Sequence, residues 1–91
     1  MTAPPEVPHA DQLADAQHTT NTTIDLYVQA REATHAARGT YTSARHHDPA
    51  SQDTDQTREG WRQAMLDEVD ALVAAEKARD EFTAIERQAR P

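Results

Sequence analysis

Two adjacent histidines followed by an aspartate, His46-His47-Asp48, are the first residues of this sequence whose types suggest chemistry. Imidazoles and carboxylates bind metal ions, but a tight site needs three or four converging ligands with ordered neighbours. Adjacent residues rarely point the same way, and no other set of strong ligands lies nearby in the sequence. We therefore predict that these histidines end a helix, where they interact favourably with its carboxyl terminus.

A second candidate is the segment from Glu32 to His35, which has the Glu-x-x-His spacing of carboxylate-bridged di-iron bundles. Two helical hairpins can pair to form such a site between chains, and Glu68 would supply a further ligand. The pattern is short, and no histidine follows residue 47. We predict no metal and no cofactor, and we keep a ferritin-like di-iron hairpin as an alternative, with Glu32, His35 and Glu68 as its candidate ligands.

No other pattern indicates an enzyme, because the chain lacks a glycine-rich phosphate loop and a serine or cysteine in a nucleophile context. The net charge of −7 gives no basic footprint for nucleic acid or an anionic membrane. No stretch approaches the apolar length of a membrane span, and the N-terminus does not resemble a Sec signal peptide. We predict a non-enzymatic protein with no nucleic-acid or membrane partner, located in the cytoplasm or in a particle such as a virion.

The small size of the chain predicts a thin core. It has 91 residues, of which 36% are hydrophobic, and alanine supplies much of that fraction. The absence of cysteine excludes disulfides, so we expect stability to depend on a protein partner or a homo-oligomer.

The elements that must position all these residues are helical. We expect residues 1–8, with three prolines, to form an extended arm, and residues 9–45 to form helix 1. A heptad runs through helix 1 without a break, with small residues at position d, which is typical of close helix packing. The a positions are Leu13, Thr20, Tyr27, Thr34 and Tyr41, and the d positions are Ala16, Thr23, Ala30, Ala37 and Ala44.

Two points within helix 1 are weak. The run Thr-Thr-Asn-Thr-Thr at 19–23 costs roughly 3 kcal/mol relative to alanine. Because the heptad keeps its phase through this run, we expect one helix, kinked or straight, with a split into three helices in all as the alternative. Gly39 is the second weak point, because glycine often follows a helix end.

The segment 46–53 is predicted to be a turn, because Pro49 disfavours helix at the preceding residue. Asp53 is the expected N-cap, with Gln56 as its partner, and helix 2 is expected over 54–89. The apolar stripe of helix 2 is interrupted by Glu68, and Val69 and Val73 widen it to a second face.

Two long helices and a short turn predict an antiparallel hairpin. Arg31, Arg38 and Arg45 all fall at heptad position e, and we expect them to form ion pairs with helix 2. The expected acidic partners are Asp55, Glu59, Asp67 and Asp70.

Trp61 follows Gly60 near the start of helix 2, and Phe82-x-x-x-Glu86 lies near its end. In length, lack of cysteine and helix–turn–helix layout the chain resembles the WXG100 proteins exported by type VII secretion. That family carries Trp-x-Gly in the turn and Tyr-x-x-x-Asp/Glu in the tail, and this sequence departs from both. The resemblance implies a secreted helical hairpin, which is a further alternative.

The sequence thus predicts an all-α, coiled-coil-like antiparallel hairpin that packs into a larger helical assembly. Its predicted function is that of a small interaction or assembly protein, such as a phage or bacterial structural accessory subunit, that packs through Ala/Thr-rich helix faces against itself or a larger partner. The residues expected at its interfaces are Leu13, Tyr27, Ala30, Ala37, Tyr41, Trp61, Met65, Val69, Leu72, Val73, Phe82 and Ile85.

Overall fold

The computed structural model describes residues 10–89 and shows the predicted all-α antiparallel hairpin. Helix α1 spans Ala10–His47 and helix α2 spans Gln52–Ala89. Each helix has 38 residues and is therefore about 57 Å long. The arm expected over residues 1–8 lies outside the described residues.

The face of α1 that packs against α2 follows the heptad. All ten a and d positions of α1 are half-buried, and every other residue of this helix is exposed. Gly39 lies within the helix and not at its end, with no positive φ. The intramolecular helix contact therefore occupies the whole Ala/Thr-rich face of α1.

Threonine hydroxyls fix how the two helices align. Thr34 Oγ1 lies 3.0 Å from the carbonyl oxygen of Ala64 on α2, and Thr20 Oγ1 lies 3.3 Å from that of Ala78. Each hydroxyl is also close to the carbonyl four residues earlier in its own helix. These contacts need the close backbone approach that the alanines allow.

The segment 19–23 continues α1 without a break. Thr20 and Thr23 face α2, whereas Thr19, Asn21 and Thr22 are exposed. Thr23 Oγ1 donates to carbonyl oxygens of the preceding turn, at 2.9 and 3.0 Å. Such back-bonding satisfies the hydroxyl within the helix, so the poor local propensity is overridden by tertiary packing.

The packed face of α2 repeats with the same heptad spacing, and its core is thin. Within the described residues only Ala75, Ala78 and Thr54 are buried. Glu68 is half-buried on this face, while Leu72 is exposed. The face comprises Thr54, Thr57, Trp61, Ala64, Glu68, Ala71, Ala75, Ala78, Phe82, Ile85 and Ala89.

The turn is shorter than expected, covering residues 48–51 in place of 46–53. The predicted Asp53 N-cap is wrong, because Ser51 takes that role: its Oγ accepts the Thr54 N–H at 3.1 Å. The hydroxyl of Thr54 reaches back to the carbonyl oxygens of Ala44 and Asp48. Thr54, only 4% exposed, therefore ties the start of α2 to the end of α1.

The interhelical ion pairs expected for Arg31, Arg38 and Arg45 are not formed within the described residues. The ion pairs that the structure describes, Arg58–Asp55 at 3.3 Å and Arg62–Glu59 at 3.9 Å, are local to α2. In an antiparallel pair, e positions face e positions. The e positions of α2 are Arg58, Met65, Leu72, Arg79 and Glu86. Glu86 lies level with the start of α1, so no carboxylate at an e position lies opposite the three arginines.

Candidate protein interaction surface

The candidate metal ligands do not converge within the chain. Glu32 and His35 are exposed, and Glu68 is half-buried on the packed face of α2. His35 and Glu68 line a common groove, but Arg31 and Arg38 line it too and would repel a cation. Among residues 10–89, no group of three or more histidine, aspartate or glutamate side chains could hold a metal ion. The ferritin-like site between chains stays a prediction.

His46 and His47 lie in the last turn of α1, and both are exposed. Their ring centroids are 6.2 Å apart in an edge-on arrangement. Asp48 uses its carboxylate in the turn, where Oδ1 accepts the Ala50 N–H at 3.2 Å. This segment therefore ends a helix and reverses the chain.

The structure separates the expected interface residues into two groups. Eight of them are half-buried between α1 and α2, so the hairpin itself already contacts them: Leu13, Tyr27, Ala30, Ala37, Tyr41, Trp61, Phe82 and Ile85. The other four are exposed on α2: Met65, Val69, Leu72 and Val73. Only the second group is free to meet another molecule without opening the hairpin.

Most of the large aliphatic side chains lie outside the helix contact. Of the ten leucine, isoleucine, valine and methionine residues within 10–89, only Leu13 and Ile85 are half-buried. The other eight are 38–58% exposed: Ile24, Leu26, Val28, Met65, Leu66, Val69, Leu72 and Val73. The chain thus packs alanines, threonines and its aromatic residues between the helices and leaves most of its large aliphatic residues outside.

Five of these residues form one surface on α2, which we call the outer face: Met65, Leu66, Val69, Leu72 and Val73. Their spacing of three and four residues places them on adjacent turns of one side of the helix. Ile24 of α1 extends this surface, because it lines a groove together with Leu72. Leu26 falls at position g, on the opposite side of the hairpin.

The interface residues expected from the sequence do not include four of these exposed residues: Ile24, Leu26, Val28 and Leu66. Leu66 could have been found, because Leu66, Val69 and Val73 have the spacing of a continuous helix stripe. Leu26 stands alone on its side of the hairpin and has no such signal.

No protein-family model, curated protein or solved structure matches this chain. Within residues 10–89, neither helix has the length and apolar character needed to cross a bilayer. The WXG100-like alternative therefore stays a prediction that rests on layout alone.

Proposed function

We propose that this chain is a non-enzymatic interaction or assembly protein, in which the hairpin is a rod that docks onto another protein surface through the outer face of α2. The occupant is either a second copy or a larger helical partner. The observation that carries the proposal is the exposure of Met65, Leu66, Val69, Leu72 and Val73 on one side of one helix.

The energetics support this use of the outer face. Burying a valine, leucine or methionine side chain stabilises a structure by about 1.5–3 kcal/mol, so covering five such residues would add substantially to the stability of a thin-cored hairpin. A contiguous exposed apolar surface of this kind is typical of an interaction site. The thin core of the hairpin gives a second reason for a partner, because a small chain gains stability by association.

Leu72 lies at the edge of the outer face nearest to α1, at position e, where it is 38% exposed and lines a groove with Ile24 and Tyr27. Circular dichroism therefore checks that a variant at this position keeps the hairpin folded. Leu26, 52% exposed on the other side of the hairpin, provides a matched control. A leucine-to-aspartate change at either position adds the same charge to a helix surface.

The test compares wild type, Leu72→Asp and Leu26→Asp by light scattering, circular dichroism and thermal melting at several protein concentrations. A discrete oligomer that Leu72→Asp dissociates and Leu26→Asp does not would support self-association. A wild-type monomer with much less helix than the structure has would support a missing heterologous partner. A fully helical monomer whose mass and melting temperature are the same in Leu72→Asp would overturn the proposal.

A further inference from the structure

The charges that flank the outer face are arranged symmetrically about Val69 and have opposite signs. Arg62 precedes Val69 by seven residues and Glu76 follows it by seven. Arg58 precedes Val69 by eleven residues and Asp80 follows it by eleven. The apolar residues repeat the same symmetry, with Met65 and Val73 four residues away on either side and Leu66 and Leu72 three away.

All four charged residues project from the same side of α2 as Val69. A helix turns by about 100° per residue, so seven or eleven residues bring the chain back to within about 20° of its starting direction. Arg58, Arg62, Glu76 and Asp80 are all exposed. Along this line the outer face has two arginines at one end, an apolar centre and two carboxylates at the other end. Asp55, about 40° to the side of this line, pairs with Arg58 at the arginine end.

We propose that a second copy of this chain covers the outer face, with α2 packing antiparallel against the partner's α2 about a two-fold axis at Val69. This inference rests on the proposed function and names the occupant. An antiparallel pair centred on Val69 brings Arg62 level with Glu76 of the partner subunit, and Arg58 level with Asp80 of the partner subunit. The two-fold axis forms each pair twice, as an isologous interface requires.

The same stripe disfavours the parallel arrangement. Two parallel copies would place Arg62 beside Arg62 and Arg58 beside Arg58, and like charges side by side repel. The present ion pairs of these arginines with Asp55 and Glu59 do not prevent the antiparallel arrangement. Those pairs are exposed, with side chains 59–71% accessible, and such contacts contribute little.

Helix α1 leaves room for the partner. The residues of α2 that contact α1 include Glu68 and Ala75, which are about 100° and 120° around the helix from Val69. The partner helix would therefore approach from a direction that α1 does not occupy.

The first test uses the absence of cysteine, because a single Val69→Cys variant has one thiol per chain. Helices pack 8–10 Å apart, so two residues on the two-fold axis of such a pair have Cα atoms within disulfide range. We expect mild oxidation to convert Val69→Cys into a disulfide-linked dimer. The control is Leu26→Cys, because residue 26 is 52% exposed and residue 69 is 55% exposed. Equal cross-linking rates in the two variants would overturn the arrangement.

The second test exchanges the charges of one pair. We expect Arg62→Glu and Glu76→Arg each to raise the dimer dissociation constant about tenfold or more, measured by analytical ultracentrifugation. The double variant should restore most of the affinity, because it recreates both pairs with opposite polarity. Positions 62 and 76 are fourteen residues apart in one helix, so a rescue can only come from contact between chains. A double variant as weak as the single ones would overturn the proposal.

The experiments distinguish failure of the proposed function from failure of the antiparallel dimer. An oligomer that Leu72→Asp dissociates, but that shows neither the cysteine link nor the charge rescue, would keep the interaction function and overturn the antiparallel dimer. A wild-type monomer with little helix would also keep the function and overturn the self-pairing. A fully helical monomer insensitive to Leu72→Asp would overturn both.

Discussion

The indole ring of Trp61 stacks on the phenol ring of Tyr41, with centroids 5.4 Å apart and ring planes inclined by 24°. This contact joins α2 to α1 in the half of the hairpin nearer the turn. Tyr41 occupies an a position of the α1 heptad, and Trp61 lies on the packed face of α2.

The stack leads to the first prediction. Trp61→Ala and Tyr41→Ala should each lower the free energy of unfolding by about 1–3 kcal/mol, because both rings are half-buried. Urea denaturation followed by circular dichroism measures this at a fixed protein concentration. In the double variant, the two changes in unfolding free energy should differ from additivity by a coupling of about 0.5–1.5 kcal/mol. Strictly additive changes would mean that the two rings do not stabilise each other.

The hydroxyl of Thr34 is predicted to stabilise the helix contact. Thr34→Val keeps the side-chain shape but removes the hydrogen bond to Ala64, so we expect a loss of about 0.5–1.5 kcal/mol. Thr40→Val is the matched control, because the exposed Thr40 hydroxyl donates only to Ala36 within α1. Both are measured by urea denaturation, and equal losses would show that the contact with α2 contributes nothing.

The close approach of the helices is predicted to depend on alanine at position 75. Ala75 is only 8% exposed, so Ala75→Leu should force the helices apart and destabilise the hairpin by about 1–3 kcal/mol. Its neighbour Ala74 is exposed, and Ala74→Leu should change the stability by less than about 0.5 kcal/mol. Thermal melting distinguishes the two variants. A tolerated Ala75→Leu would mean that the helices are not in close contact there.

The two glycines are predicted to be replaceable with a gain in stability. Gly39 and Gly60 both lie within helices without a positive φ, and a Cβ atom at either position meets nothing within 4 Å. Gly39→Ala and Gly60→Ala should each stabilise the protein by about 0.5–1 kcal/mol through helix propensity. A melting temperature that falls in either variant would indicate a contact on that surface, for example with a partner.

The all-α hairpin and the packed face of α1 were predictable from the sequence. The heptad from Leu13 to Ala44 keeps its phase through 19–23, and a 3.5-residue repeat of small side chains favours one line of close contact. Helix propensity was less informative than the heptad, because it indicated weak points at the threonine run and at Gly39, where α1 is continuous. The turn was found from Pro49, but its cap was not, since serine and aspartate both cap helices and only the backbone geometry selects Ser51.

Which side chains of α2 face α1 and which face outward was decided by packing between the helices. Judged by residue type alone, Leu72 would be buried and Glu68 exposed. In the structure, however, Glu68 is half-buried and Leu72 is exposed. The reason is geometric: once Trp61 and Ala64 meet α1, the heptad spacing carries the contact through Glu68 and Ala75. Residue types along a chain indicate which side chains prefer burial. Which of them reach the other helix is decided by how the two helices align and how closely they approach.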